Sequence, residues 1–290
     1  MMQLEKVGVW TSYRAIGEEN AGEAAQLVEQ LGFGAFWLGG SPKLPAVRPL
    51  LEATQRIVVA TGIVNVWQNE PAEVASAYAE LTGQFPPERL LVGIGIGHPE
   101  ATSDYSRPLA TMRDFFDGLD RSQPPLPTDH RCMAALGPKM LDLAAQRSLG
   151  SHPYFVPIAH TRFARQRLGP GPLLAPELAC VVDTDTERAR STARQYAKLY
   201  LGLSNYTGNL LNFGFTEQDI ADGGSDRLID AIVPHGSADQ IAAVVREHLD
   251  AGADHVCLQP VGTQGIPAEQ WAALAEALEL SHRSAAQDSA

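Results

Sequence analysis

The sequence has few cysteines and no long apolar run, and each scarcity excludes a class of protein. Its three cysteines, Cys132, Cys180 and Cys257, lie far apart in 290 residues, which argues against a disulfide framework and predicts free, buried thiols in a reducing compartment. No stretch approaches the roughly 20 apolar residues that span a bilayer, and the first residues do not have the layout of a signal peptide. We therefore expect a cytoplasmic protein that has no membrane partner.

Positive charge is also scarce, and several common site motifs are missing. The 22 Lys and Arg residues stand against 34 Asp and Glu, a net charge of -12, which disfavours nucleic acid as a partner. The eight histidines form no HxH, HxxxH or HExxH pair, so we predict no metal site. There is no GxSxG serine-hydrolase motif, and LVGIGIG lacks the third glycine and the acidic partner of a dinucleotide-binding loop.

Short β-branched runs alternate with segments of helical period along almost the whole chain, which is typical of βα units around a parallel sheet. The length fits two average domains or one large barrel, and eight alternations favour a single (β/α)8 TIM barrel over residues 1–281. The predicted strands are Val7–Thr11, Ala35–Leu38, Ile57–Asn65, Leu90–Ile96, Arg131–Leu136, Ser151–Val156, Glu177–Val182 and His255–Pro260. The predicted helices are 21–31, 45–54, 71–83, 106–119, 138–149, 160–167, 185–202 and 267–281.

Residues 203–252 do not fit the repeat. They contain two stretches rich in Asn, Gly or Asp, SNYTGN and ADGGSD, which we interpret as loops, and then a helix over 237–250 capped by Ser237. We predict that this segment is an insertion between strands seven and eight that caps or extends the barrel. Residues 282–290 are predicted to be a frayed polar tail.

In a parallel barrel, the residues that close each strand form the mouth of the active site. Glycines recur at these positions, where a missing Cβ lets the backbone approach a flat ligand. We assign Gly39, Gly95 and Gly97 to cofactor binding on this basis; the competing interpretation is that they only make tight turns.

Strand five runs into its helix as MAALGPKML. Gly137 permits the turn, Pro138 starts the helix, and Lys139 adds a cation beside the first-turn amides, which together predict an anion seat. The surrounding segment 130–170 holds six basic residues and one acidic residue, a net charge of +5. The alternatives are that these arginines only face solvent, or that an anion binds after strands seven and eight instead.

His98 closes strand four in the sequence GIGHPE. Histidine side chains exchange protons near neutral pH, so a histidine at the barrel mouth could move a proton or orient a ring. We predict that His98 is catalytic, and the alternative is a structural role in the His-Pro-Glu turn.

Several segments in order resemble one family: GVW, FWLGGSP, ATGIVNVW, LVGIGIGHPE, AALGPKMLDLAAQR and HPYF. The likeness continues through LGPGPLLAPELA, NYTGN, GFTE, GGSDRLIDA and LDAGADHVCLQ, nearly the whole chain. The sequence resembles the luciferase-like flavin and deazaflavin oxidoreductases, within them an actinobacterial group that depends on coenzyme F420.

This resemblance implies a barrel with an insertion near strand seven, a deazaflavin across the mouth, and hydride exchange at its C5 with a small organic substrate. It implies a non-prolyl cis peptide at the end of strand three that supports the ring from behind; we place it at Asn65–Val66 and assign both residues to cofactor binding. The Ala-Ala-x-Gly-Pro turn that contacts cofactor in the family falls on Ala134, Ala135, Leu136, Gly137 and Pro138.

Better-known deazaflavin enzymes often end strand two in an acid or His and carry a Glu on strand four, where this chain has Gly39–Gly40 and His98. Reduction of a carbonyl or unsaturated substrate is therefore at least as plausible as alcohol oxidation. Two alternatives to an F420-dependent oxidoreductase remain: an FMN-dependent monooxygenase on the same barrel, and a cofactor-binding protein without turnover. We expect a homodimer.

Overall fold

A parallel sheet is the framework of the molecule. The structure, a computed structural model, describes residues 2, 4–103 and 105–280. Within them, each of the strand pairings is parallel. The strands are β1 Val7–Thr11, β2 Ala35–Gly39, β3 Val58–Gly62, β4 Val64–Asn65, β5 Leu90–Gly95, β6 Arg131–Met133, β7 Gly150–Ser151, β8 Leu173–Leu174, β9 Glu177–Val182, β10 His235–Gly236 and β11 Val256–Pro260.

The segment Leu173–Val182 closes this sheet into a barrel. Its first part, β8, pairs with β7, and its second part, β9, pairs with β11, which in turn pairs with β1. The Leu173 amide donates to the Leu149 carbonyl at 2.8 Å, and the Glu177 amide donates to the Pro153 carbonyl at 2.9 Å. The predicted (β/α)8 barrel is confirmed, with β3–β4 and β8–β9 each acting as one barrel strand and β10 pairing with the end of β9.

Thirteen α-helices connect or cover these strands in the described residues. They are α1 Tyr13–Ile16, α2 Ala21–Gln30, α3 Arg48–Ala53, α4 Pro71–Thr82, α5 Pro108–Arg121, α6 Pro138–Arg147, α7 Ile158–Leu168, α8 Thr186–Tyr200, α9 Ser204–Asn212, α10 Glu217–Ile220, α11 Asp226–Ile232, α12 Ala238–Asp250 and α13 Ala268–Ala277. Short 3-10 turns lie at Glu18–Asn20, Leu44–Val47, Pro87–Arg89, Pro99–Ala101, Thr128–His130 and Ala221–Gly223.

Alternate residues of each strand serve two different cores. Val9 and Phe36 face outward and pack with the surrounding helices, whereas Trp37, Cys132 and Cys257 fill the barrel interior. Cys132, Cys180 and Cys257 are buried and free, as predicted. None of the helices in the described part of the chain is long and apolar enough to cross a membrane.

The predicted third strand is interrupted. A non-prolyl cis peptide lies at Gly62–Ile63, between β3 and β4, so the prediction of a cis bond at Asn65–Val66 was wrong. Asn65 belongs to β4, and the Val66 amide continues the pairing with β5 by donating to the Gly95 carbonyl at 3.1 Å. At Gly62, an added Cβ would lie 2.5 Å from Nε1 of Trp10, so a glycine fits the close packing at the break.

Strands five and six are shorter than predicted. β6 ends at Met133 and β7 spans only Gly150–Ser151, whereas we predicted strands to Leu136 and Val156. Their carboxyl-terminal residues leave the sheet as loops, and Phe155 has a positive φ of 57° that is incompatible with strand geometry. Apolar loop residues at a barrel mouth cannot be distinguished from buried strands by hydrophobicity alone.

The predicted insertion between strands seven and eight is present, but the segment SNYTGN is not a loop. It starts helix α9, whose buried residues Tyr206, Asn209 and Leu210 have helical spacing. Tyr206 and Leu210 pack with Phe155 and with small residues of α8. Asn and Gly have low helix propensity, and here tertiary packing overrides it. The predicted cap of the following helix is confirmed, because Ser237 and Gln240 form a capping box at the start of α12.

Candidate active site

A cavity of about 550 Å³ opens at the carboxyl ends of the barrel strands. This volume lies within the range of roughly 300–1,000 Å³ typical of small-ligand sites. One side, which we call the strand wall, consists of Gly62–Ile63, Gly95–His98 and Ala134–Gly137. A second group of lining residues, which we call the aromatic wall, consists of Tyr154, Tyr200 and Tyr206. Trp10 and His152 lie between the two walls and also line the cavity.

Seven of the predicted site residues meet in this cavity, all on the strand wall: Gly95, Gly97, His98, Ala134, Ala135, Leu136 and Gly137. They come from two neighbouring strands, β5 and β6, whose carboxyl ends lie at the same edge of the parallel sheet. Five others, Gly39, Asn65, Val66, Pro138 and Lys139, do not line it.

The outlying residues have other contacts. An added Cβ at Gly39 would lie 2.0 Å from Cζ2 of Trp10, so this glycine makes room for the indole ring. Asn65 accepts a hydrogen bond from the Trp67 amide at 2.9 Å and thereby shapes the turn after β4. Pro138 and Lys139 are exposed on the first turn of α6, just outside the cavity.

Gly137 combines a place on the strand wall with free space around it. It is the N-cap residue of α6, and no atom lies within 4 Å of a Cβ built there. The amides of Met140 and Leu141 both donate to its carbonyl, at 3.1 and 3.0 Å, and Pro138 has no amide hydrogen. The first turn of α6 therefore offers an anion fewer free amides than we predicted.

Trp10 and His152 bring two unpaired polar atoms to the cavity. Nε1 of Trp10 and Nε2 of His152 are buried without a hydrogen-bond partner among the described residues. Nδ1 of His152 lies 2.7 Å from the Ala175 carbonyl, which can only accept, so Nδ1 carries the hydrogen. Burial lowers the pKa of His152 to about 4, so the ring is neutral and Nε2 is an acceptor. Both nitrogens lie beside Gly62, where an added Cβ would be 2.5 Å from Nε1 of Trp10 and 3.4 Å from Nε2 of His152.

The aromatic wall was not predicted from the sequence. Its hydroxyl groups are linked, with 2.8 Å between the hydroxyls of Tyr154 and Tyr200 and 2.9 Å between those of Tyr154 and Tyr196. Burial raises the pKa of Tyr154 and of Tyr196 well above the usual 10 and also raises that of Tyr200. Tyr196 and Tyr200 have i,i+4 spacing on α8, a signal that an amphipathic core helix gives equally well.

His98 lies on the strand wall and also contacts the insertion. Its Nδ1 is 3.0 Å from Oδ1 of Asn205, and its ring centroid is 5.1 Å from that of Tyr206. Nearby, Glu100 accepts a hydrogen bond from the Ser204 amide at 2.8 Å. Hydrogen bonds from the Ser204 side chain and amide lower the pKa of Glu100. The loop after β5 is therefore fastened to the start of α9 across the edge of the cavity.

The cavity contains little charge. Of the described residues that line it, none is Lys, Arg, Asp or Glu. The basic segment 130–170 does not supply a positive wall, because four of its six cations form ion pairs: Arg131–Asp120, Arg147–Asp117, Arg165–Asp254 and Arg167–Asp142. Three of these acids lie outside the segment, so the sequence charge count of +5 overstated its field. No group of three or more His, Cys, Asp or Glu in residues 2, 4–103 and 105–280 could hold a metal ion.

The family model described as luciferase-like monooxygenase matches residues 1–122. This match confirms the predicted resemblance to luciferase-like proteins over that part of the chain. No curated protein matches the sequence.

Solved structures with the same fold bind two kinds of cofactor. An F420-dependent secondary alcohol dehydrogenase in complex with an F420-acetone adduct matches with a TM-score of 0.75 and 15% identity over 97% of this chain and 99% of that chain. A coenzyme F420-dependent tetrahydromethanopterin reductase from Methanopyrus kandleri matches with a TM-score of 0.69 and 14% identity over 96% of this chain and 99% of that chain. A type II Baeyer-Villiger monooxygenase from Pseudomonas putida in complex with FMN matches with a TM-score of 0.66 and 13% identity over 96% of each chain.

Proposed function

We propose that this chain is an oxidoreductase that binds coenzyme F420 in the cavity and transfers a hydride between the deazaflavin C5 and a small organic substrate. The observation that carries the proposal is the uncharged cavity at the barrel mouth, with glycines on one wall and unpaired buried polar atoms between the walls. The similar F420-dependent structures support the choice of cofactor.

The residues of the cavity fit a ring of the flavin class. Such a ring is flat, largely uncharged and has hydrogen-bonding edges, which suits a strand wall where Gly97 and Gly137 are partly exposed and have no side chain. Nε1 of Trp10 can donate and Nε2 of His152 can accept, so both buried atoms would gain partners from the polar edges of a ligand. Lys139, exposed beside this wall, is placed to meet the anionic tail of the cofactor outside the cavity.

Bound F420 supplies the hydride chemistry, and the side chains of this chain contribute orientation, exclusion of water and a proton path. His98 presents Nε2, since Nδ1 lies against Oδ1 of Asn205. Tyr154 and Tyr200 present hydroxyl groups that can donate to a substrate oxygen. We assign His98 or the hydroxyls of the aromatic wall to proton transfer with the substrate, and Trp10 and His152 to alignment of the ligand.

The competing proposal is an FMN-dependent monooxygenase on the same barrel, which the FMN-bound structure of this fold and the luciferase-like match to residues 1–122 favour. A cofactor-binding protein without turnover is a third possibility on this fold. We retain the expectations of a cytoplasmic homodimer with a small-molecule substrate as part of the proposal.

Equilibrium titration of the purified protein with F420 and, separately, with FMN distinguishes these proposals. We expect saturable binding of F420, followed by oxidation of reduced F420 in a screen of quinones, enones and ketones. Tight binding of FMN with no binding of F420 would overturn the proposal in favour of the flavin enzyme. Binding of F420 without turnover of any member of the screen would favour a binding protein.

A further inference from the structure

A carboxyl group lies buried behind the aromatic wall. Glu177 is the first residue of β9 and its relative exposure is only 1%. Its Oε2 accepts from the Phe155 amide at 3.2 Å, and its Oε1 lies 3.4 Å from the Tyr196 hydroxyl. None of the ion pairs in the described part of the chain includes Glu177. A buried carboxyl group without a cation is costly to ionise and calls for an explanation.

Hydroxyl groups connect this carboxyl group to the cavity. The Tyr196 hydroxyl, which touches Glu177, donates to the Tyr154 hydroxyl at 2.9 Å. The Tyr154 hydroxyl is 2.8 Å from that of Tyr200, and both of these tyrosines line the cavity. The Tyr154 hydroxyl donates to the Gln259 amide oxygen at 2.9 Å, so it must turn from Gln259 toward the substrate oxygen to pass its proton on. Each link is a group that can both accept and donate a proton.

We infer that Glu177, Tyr196 and Tyr154 form a proton-transfer chain that carries a proton between the buried carboxyl group and the cavity. The inference rests on the proposed function, because hydride transfer to a carbonyl group also requires a proton at its oxygen. Glu177 acts through the tyrosines and does not touch the cavity, so it is a positioning and relay residue.

The surroundings of Glu177 favour its protonated form. Burial raises its pKa to about 8, and two hydrogen bonds act against this rise: one from the Phe155 amide, and one that the Tyr196 hydroxyl can donate when it turns from Tyr154 to the ionised carboxylate. The titratable groups that interact with it are the hydroxyls of the three linked tyrosines, the Tyr206 hydroxyl, and the thiols of Cys180 and Cys257, all of which are neutral near pH 7 because burial raises each of their pKa values. The carboxyl group can therefore hold a proton at neutral pH and release it without a compensating cation.

The transfer balances for a carbonyl substrate and a reduced deazaflavin. The carbonyl carbon gains a hydride with its electron pair, and the carbonyl π pair moves onto the oxygen, which takes the Tyr154 proton. Tyr154 takes the proton of Tyr196, and Tyr196 takes that of Glu177, which becomes a carboxylate. The oxidised cofactor loses one proton to the solvent, and Glu177 regains one from the solvent after the product leaves.

Infrared spectroscopy of the cofactor-free protein tests the chain without any activity measurement. We expect one buried protonated carboxyl band that disappears in a titration from about pH 6 to about pH 10 and is missing from Glu177→Gln. On rapid mixing with D2O, Tyr196→Phe should slow exchange of this carboxyl proton by at least about 10-fold, because it removes the hydroxyl that passes the proton to Tyr154. Tyr78→Phe is the matched control, since the Tyr78 hydroxyl lies 2.8 Å from Nδ1 of His130 and belongs to no link between Glu177 and the cavity. The carboxyl proton of this variant should exchange at the wild-type rate.

Two results would overturn the inference. The first is a Glu177 carboxylate that shows no protonated band at about pH 6. The second is exchange that is equally fast in Tyr196→Phe and in the wild type, which would mean that the proton reaches solvent by another route. These results do not depend on cofactor binding, so they are distinguishable from failure of the F420 proposal, which the titration measures. If Glu177→Gln fails to fold, the Tyr196→Phe exchange rate still decides the matter.

Discussion

The two walls of the cavity are built from different materials. The strand wall consists of glycines, alanines and aliphatic residues at the ends of β3, β5 and β6, together with His98, and the aromatic wall is a set of tyrosines from the loop after β7 and from α8 and α9. The first offers surface without functional side chains except at His98, and the second offers hydroxyl groups joined to a buried carboxyl group. From this difference we propose that the strand wall binds a flat ring and that the aromatic wall transfers protons.

A large side chain on the strand wall should have the largest effect, because it would occupy the space that we assign to the ring. Gly137→Trp should weaken F420 binding by at least about 1,000-fold, or about 4 kcal/mol, because the indole would take the space of the ring. Its effect on the free energy of unfolding should be within about 0.5 kcal/mol, since no atom lies within 4 Å of a Cβ at this position.

Gly171→Trp is the control for this change. Gly171 also has no atom within 4 Å of an added Cβ, but it is exposed and does not line the cavity. Fluorescence titration with F420 should give wild-type affinity for this variant. Wild-type affinity in Gly137→Trp as well would place the ring elsewhere.

His98 is the functional side chain of the strand wall, and its replacement should affect turnover more than binding. With a substrate found by the screen, His98→Gln should lower kcat by about 100-fold if His98 is the general acid or base, with the dissociation constant of F420 little changed. Asn205→Leu, which removes the contact with Nδ1 but leaves the imidazole, should lose much less turnover. Equal losses in the two variants would assign His98 to fastening α9, and normal turnover would remove it from the mechanism.

A smaller effect on F420 binding is expected at Trp10, whose indole Nε1 has no hydrogen-bond partner among the described residues. Trp10→Phe should weaken F420 binding by about 10-fold, because a hydrogen bond from Nε1 to the ligand contributes roughly 1 kcal/mol. Trp271→Phe is the control, since its Nε1 is also buried and unpaired but belongs to the outer core on α13. Isothermal titration of both variants should show the loss only at position 10; an equal loss at both positions would mean that the effect is on folding.

The last prediction concerns the pH dependence of stability behind the aromatic wall. The pKa of Glu177 rises from the ordinary 4.5 to about 8 on folding, so between these values the unfolded chain binds fewer protons and the native state loses stability as the pH rises. Gln does not titrate, so the unfolding free energy of Glu177→Gln minus that of the wild type should increase by up to about 1.4 kcal/mol per pH unit across this window. Denaturant unfolding at several pH values measures it, with Glu276→Gln, exposed on α13, as a control. Parallel curves for Glu177→Gln and the wild type would contradict a protonated Glu177.

The strand wall was largely predictable from the sequence and the aromatic wall was not. Glycines at strand ends and the Ala134–Gly137 turn can be found locally in the sequence. In a parallel barrel the carboxyl end of each strand lies at the mouth, so locating a strand end also locates a wall residue. The tyrosines meet through the packing of α8 and α9 against the barrel, over sequence separations of 42 and 46 residues from Tyr154. Charge was misjudged for the same reason, since Asp254 pairs with Arg165 from 89 residues away.

A crystal structure of the protein with F420 tests the central claim most directly. We expect the deazaflavin ring to lie in the cavity, with one face in contact with Ile63 and Leu136 of the strand wall. The other face, which the substrate would approach, should be turned toward Tyr154 and Tyr200. We also expect Nε1 of Trp10 and Nε2 of His152 to gain hydrogen-bond partners on the ligand. A ring bound outside the cavity, or one that leaves both nitrogens unpaired, would contradict the account.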